Sequence, residues 1–186
     1  MKLILCLIAV LTIFYSSPIT YAATPYSYCF IGDSRFVGME QYVETDEDIT
    51  WIAEIGAGQE LYWENREYIA SLDRDTIIIY ELGVNNLDDT NGCINALRDL
   101  EALGFNHIYF TSITPVNEDL CFIYGYIETN ECIENFNNVV RSNLPYSAAT
   151  MYCYEYLNNI GIDTEDGLHY EVETYYEWFY NILNSL

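Results

Sequence analysis

The chain carries two histidines, and any serine chemistry must run through one of them, because a serine hydroxyl is a poor nucleophile until a base takes its proton. His169 follows Asp166 by three residues in Asp166-Gly167-Leu168-His169. A turn there would let the carboxylate accept the Nδ1 proton and leave Nε2 facing a hydroxyl, the orienting role of the acid in a Ser–His–Asp arrangement. His107 opens an apolar run after Gly104-Phe105-Asn106 and reads as a strand-edge histidine. The hydroxyl to match with His169 is Ser34, in Gly32-Asp33-Ser34 behind another apolar run. Taken singly, that tripeptide is equally a turn with Ser34 as a helix cap, and Asp166-Gly167 is equally an ordinary turn. Their meaning depends on whether the fold unites them.

Acyl transfer also needs donors for an oxyanion. Three apolar runs end, in order, in Gly32-Asp33-Ser34, Gly56-Ala57-Gly58 and Gly83-Val84-Asn85-Asn86. At the start of a helix, Ser34 would lie among free backbone N–H groups and at the positive end of the helix dipole. The candidate donors are the Ser34 N–H, a backbone N–H of the Gly56–Gly58 turn and the Asn85 amide, each worth about 3 kcal/mol in the transition state. Asn85 could instead close an Asx turn.

Positioning these groups requires strands that share one edge. Strands are expected at Tyr26–Ile31, Trp51–Ile55, Thr76–Leu82, His107–Ile113 and Thr150–Tyr154. The unbroken Ile77-Ile78-Ile79-Tyr80 suits a strand covered on both faces, as in a parallel sheet. Helices are expected at Phe36–Val43, along the spacing of Leu61, Tyr68 and Leu72, and from Asn91 to Leu103 ahead of Gly104. Two more follow from Ile133, Phe136, Val140 and Leu144, and from Val172, Tyr176, Phe179 and Leu183; Asn117–Tyr126 reads as a loop. The alternation predicts a single α/β domain with a parallel, doubly wound, five-stranded sheet. Right-handed crossovers put the strand ends on one edge, where open α/β sheets bind ligands.

The N-terminus has a different character. Lys2, an apolar run from Leu3 to Tyr15 and small residues at Ala22 and Ala23 have the layout of a secretory signal peptide. The run is shorter than the roughly 20 residues of a membrane-spanning helix. The expected organisation is therefore a signal peptide at 1–22, a single domain at 23–186, an extracellular location and no stable membrane insertion after cleavage. A formal charge of −23 lacks the basic footprint that nucleic-acid binding requires and repels anionic surfaces; a small neutral ester or a neutral glycan remains compatible. With Cys6 set aside, Cys29, Cys93, Cys121, Cys132 and Cys153 form an odd set, so at least one thiol is left over. Cys121 and Cys132 flank a loop and are the expected bridge. Asp88-Asp89-Thr90-Asn91-Gly92 hints at a calcium loop, but with Gly92 at its sixth position Leu87 and Arg98 fall where carboxylates are required.

Gly32-Asp33-Ser34, the Gly56–Gly58 turn, Gly83-x-Asn85 and Asp166-x-x-His169 together resemble the four blocks of the SGNH, or GDSL-type, hydrolases, in the same order and across nearly the whole of 23–186. The resemblance implies a flavodoxin-like three-layer α/β/α fold and ester hydrolysis through an acyl-enzyme, with neither metal nor cofactor. It implies Ser34 as nucleophile, His169 as base, Asp166 as its partner, and Ser34, Gly58 (or Gly56) and Asn85 as oxyanion donors. Arg35 stands where the family's name motif has Leu, and Asn86 replaces the Asp that commonly follows the third-block Asn. Arg35, a rare cation beside the nucleophile, is expected to bind a polar or anionic part of the substrate, against the alternative of a salt bridge. The leading expectation is an esterase for small esters or O-acetyl groups on a neutral glycan. A lipase or lysophospholipase, an acyltransferase and an inactive binding module are the alternatives.

Overall fold

The computed structural model describes residues 26–186, so the signal-peptide expectation for 1–22 lies outside the described residues. The strands are β1 (Ser27–Gly32), β2 (Asp48–Ala53), β3 (Ile77–Glu81), β4 (His107–Thr111) and β5 (Ala148–Met151). They form one sheet in the order β2-β1-β3-β4-β5, and every pairing is parallel. This is the flavodoxin-like order expected of a doubly wound sheet. Its register sets Gly32 opposite both Ala53 and Glu81, so the first three strand exits are neighbours.

Successive strand residues face opposite sides of a sheet, and β3 shows the consequence. Ile77 and Ile79 join one buried cluster, with Phe30, Phe36, Trp178 and Phe179. Ile78 and Tyr80 join the other, with Leu97, Leu100 and Phe136. The first cluster lies under α1 (Ser34–Tyr42), α7 (Cys153–Ile160) and α8 (Val172–Asn184). The second lies under α2 (Glu60–Glu64), α3 (Arg66–Ile69), α4 (Thr90–Leu103) and α6 (Asn130–Arg141). The result is the three-layer α/β/α arrangement.

Three expectations shift. The helix expected along Leu61, Tyr68 and Leu72 is broken at Asn65 into α2 and α3, with Tyr68 exposed and Leu72 beyond both. The segment read as a loop contains α5 (Glu118–Tyr124), whose Phe122, Ile123 and Tyr124 are exposed; its apolar residues form no inward stripe for a helical period to reveal. The fifth strand, expected to run to Tyr154, ends at Met151, and the apolar Cys153-Tyr154 begins α7.

Candidate active site

β1 delivers the chain to Gly32, and Asp33 caps α1 by accepting the Arg35 N–H on Oδ1 at 3.0 Å. That cap makes Ser34 the first helical residue, where its N–H has no acceptor within the helix. The side chain is near the surface and the residue is 7% exposed.

The histidine arrives from the far end of the chain on a narrow loop closed by an antiparallel bridge between Thr164 and Tyr170. Within it, Asp166 Oδ1 accepts the N–H groups of Leu168 (2.9 Å) and His169 (2.8 Å), which curls the backbone into a tight turn. Gly167 makes that turn possible: its φ is +96°, and a Cβ there would fall on the backbone N of Cys121. The turn aims the imidazole both ways. Nδ1 lies 2.7 Å from Asp166 Oδ2 and Nε2 lies 2.8 Å from Ser34 Oγ. Burial alone would push the Asp166 carboxyl up, but hydrogen bonds from the His169 backbone and ring, the Leu168 N–H and the Tyr126 phenol outweigh it and lower it to about 2. Asp166 is thus a carboxylate at neutral pH, able to hold His169 with its proton on Nδ1. Tyr126 was not singled out from the sequence, since it lies at the end of the segment read as a loop.

The oxyanion donors are placed less uniformly. Asn85, exposed at the exit of β3, donates one Nδ2 hydrogen to the Ala57 carbonyl at 2.9 Å, which ties the third-block loop to the second and leaves the other hydrogen unused by that bond. Of the two glycines, Gly56 is exposed and Gly58 buried. The Gly58 N–H donates to Oε1 of Glu60 at 2.9 Å, so this donor is engaged by the chain's own carboxylate. Asn86, in place of the usual Asp, lies against the second-block turn: a Cβ at Gly58 would collide with its Oδ1.

Arg35 departs from its expected role. Its side chain is wholly buried and does not reach the substrate edge. Nη2 pairs with Glu81, while Nη1 donates to the Thr114 carbonyl at 3.1 Å and to Thr114 Oγ1 at 2.9 Å. Two carboxylates therefore share one guanidinium out of contact with water. Desolvation raises both Asp33 and Glu81 despite the attraction of Arg35, Glu81 far above its ordinary value. The expected Cys121–Cys132 bridge is also absent: Cys29, Cys93, Cys121, Cys132 and Cys153 are all free, Cys121 being buried and Cys132 exposed. Burial pushes the Cys29 and Cys153 thiols up to about 12, away from the reactive thiolate.

Two clefts open at this edge. One of about 240 Å³ is lined by Ser34, Val37, Tyr42, Ile55 and His169. The other, of about 370 Å³, is lined by Val84, Asn85, Leu87, Ile127 and Glu128. Nucleophile and base open onto the first, and the candidate amide donor onto the second.

No protein-family model matches the sequence, and no curated protein matches it. Solved structures do. A chain from Streptococcus pneumonia provisionally described as a platelet activating factor superposes with a TM-score of 0.71 at 21% identity, over 89% of this chain and 86% of that one. A member of the lipolytic G-D-S-L family from Veillonella parvula does so with a TM-score of 0.62 at 15% identity, over 86% and 97%. The acetyl xylan esterase AlAXEase gives 0.63 at 13% identity, over 86% and 99%. The chain thus has the three-layer α/β/α fold of the GDSL-type hydrolases, across most of its length.

Proposed function

We propose that this chain is a secreted serine hydrolase that cleaves carboxylic esters through an acyl-enzyme on Ser34. The observation that carries the reading is the unbroken line Ser34 Oγ, His169 Nε2, His169 Nδ1, Asp166 Oδ2, with hydrogen-bond gaps of 2.8 and 2.7 Å. His169 Nε2 takes the hydroxyl proton as Ser34 Oγ attacks the ester carbonyl carbon. Asp166 keeps the ring oriented and stabilises the imidazolium. The oxyanion that forms is met by the Ser34 N–H and the free Asn85 Nδ2 hydrogen, with Gly58 available once Glu60 withdraws. Collapse breaks the bond to the leaving oxygen, which takes the proton from His169. Water, activated by the same nitrogen, then releases the acid and restores Ser34.

The small cleft beside Ser34 and the −23 formal charge favour a compact, uncharged ester, and an O-acetyl group on a neutral glycan is the preferred substrate. Similarity in fold to an acetyl xylan esterase supports this choice. The signal-like layout of the sequence at 1–22 supports the secreted part of this reading. One feature favours a long-chain ester instead: Phe122, Ile123, Tyr124 and Ile127 are exposed in the segment that carries Tyr126 to Asp166. A panel of esters from acetyl to long-chain, run beside acetylated glycans with Ser34→Ala as the blank, separates the two. Highest kcat/KM on acetyl esters is expected; a preference for long chains would select the lipase reading. A serine-directed phosphonate should add its mass to the peptide containing Ser34, and a folded protein that takes up none would end the hydrolase reading.

A further inference from the structure

The Ile113–Val116 segment after β4 is gripped from several directions. Asn137 on α6 brackets Ile113, accepting its N–H at 2.8 Å and donating to its carbonyl at 2.9 Å. Asn130, at the start of the same helix, brackets Val116 in the same way, at 3.0 and 2.9 Å. Between them, Arg35 holds Thr114 through its carbonyl and hydroxyl, and the Tyr170 phenol donates to the Pro115 carbonyl at 2.6 Å. One residue further on, the Asn117 N–H donates to the Gly167 carbonyl at 2.9 Å. Arg35 adjoins Ser34 in the chain, and Tyr170 adjoins His169. The segment is therefore a shared rest for the nucleophile turn and the histidine loop, which are 135 residues apart in sequence.

We propose that Arg35 is a positioning residue, which sets Ser34 Oγ against His169 Nε2 by clamping the nucleophile turn to the Thr114–Pro115 rest that also carries Tyr170. The proposal builds on the hydrolase reading. Its physical motive is the cost of the cluster. A guanidinium and two carboxylates lie fully buried, with Arg35 Nε 3.6 Å from Asp33 Oδ1 and Nη2 paired to Glu81. A fully buried ionic cluster is a poor source of stability, because desolvation of its charges offsets their attraction. What the planar fork does provide is direction. One end holds Glu81 at the exit of β3 and the other holds Thr114 beyond β4, while the backbone N–H of Arg35 is fixed by Asp33. Three strand exits are thereby locked around Ser34. A lysine has the charge but cannot reach Glu81 and Thr114 in two fixed directions.

The test separates holding the fold from holding the geometry. In Arg35→Met/Glu81→Leu the Glu81 pair becomes apolar while buried Asp33 loses its guanidinium, so the variant is expected to fold with a Tm a few degrees below wild type. Its kcat should fall roughly 100-fold, the size of effect an ångström of misplacement causes, with KM within about twofold and slower acylation by the phosphonate. A stable variant with wild-type kcat would overturn the proposal. Should the double variant fail to fold, Tyr170→Phe decides, since it keeps the ring and removes the hydroxyl that donates to the Pro115 carbonyl: lowered kcat at constant KM supports the shared rest, and unchanged kcat overturns it. Wild-type protein that does not react with the phosphonate would remove the hydrolase reading and this proposal together, whereas reactive wild type with equally reactive variants removes the positioning role alone.

Discussion

The Tyr126 phenol donates to Oδ2 of Asp166 at 2.9 Å, the same oxygen that faces His169 Nδ1. Tyr126 also sets its ring edge-on to the imidazole, with centroids 6.2 Å apart. Its backbone is fixed by the end of α5, where its N–H donates to the Cys121 carbonyl. Tyr126→Phe keeps the ring and loses only the hydroxyl. It should lower kcat roughly fivefold, equivalent to about 1 kcal/mol for one hydrogen bond, and leave KM nearly unchanged. Steady-state kinetics on the best ester of the panel would check this, and a variant as fast as wild type would show that Asp166 needs no such support.

What could be read from the sequence divides along physical lines. The strands of the parallel sheet are continuous apolar runs, and Ile77-Ile78-Ile79-Tyr80 announces itself because no surface strand tolerates it. Ser34, Asp166 and His169 stand at chain positions where a strand ends or a turn must form, so residue type and place together point to them. Arg35 differs from its expectation because a cation beside a nucleophile is ordinarily solvated, and nothing local says that Glu81, 46 residues away, will meet it inside the protein. Tyr126, Asn130 and Asn137 carry no local signal either: their partners lie 40, 14 and 24 residues away. The Cys121–Cys132 pairing failed because flanking a loop does not make two side chains converge; one thiol points inward and the other to solvent.

Gly167 offers a sharper test of the histidine loop. An alanine there meets two obstacles, the positive φ of +96° and the backbone of Cys121. Strain of this kind costs about 2 kcal/mol, so Gly167→Ala should lower the Tm by about 4–8 °C. The loop that relieves the clash by moving carries His169 with it, and kcat should fall roughly 100-fold. Thermal unfolding and kinetics on the same preparation would show both effects; full activity at reduced Tm would mean that the loop yields without moving the imidazole.

Glu60 bears on the oxyanion site. Its carboxylate occupies the Gly58 N–H, the donor that a developing oxyanion would need. Glu60→Ala releases that N–H, and kcat/KM should rise about threefold to tenfold, part of the worth of one oxyanion donor. An alkyl boronic acid, which forms a tetrahedral anion on the serine, should bind more tightly by a similar factor. Weaker boronate binding would instead assign Glu60 to shaping the turn, and would leave Ser34 and Asn85 as the working donors.

Acidity provides the last separation, between the acid that orients and the base that reacts. His169→Ala should abolish nearly all turnover, and Asp166→Asn should cost less, because the ring remains although its orientation and tautomer are no longer secured. Equal losses would contradict that division. The same carboxylate has a thermodynamic signature. Its folded value of about 2 lies below the ordinary 3.8, so the ionised form favours the folded state. That contribution is complete above about pH 4 and disappears as the pH falls through about 2. The Tm difference between wild type and Asp166→Asn should therefore be widest near pH 6 and close towards pH 2. If the gap keeps its size across that range, the hydrogen bonds at Asp166 stabilise the loop without regard to its charge, and the carboxylate is not what holds His169 in place.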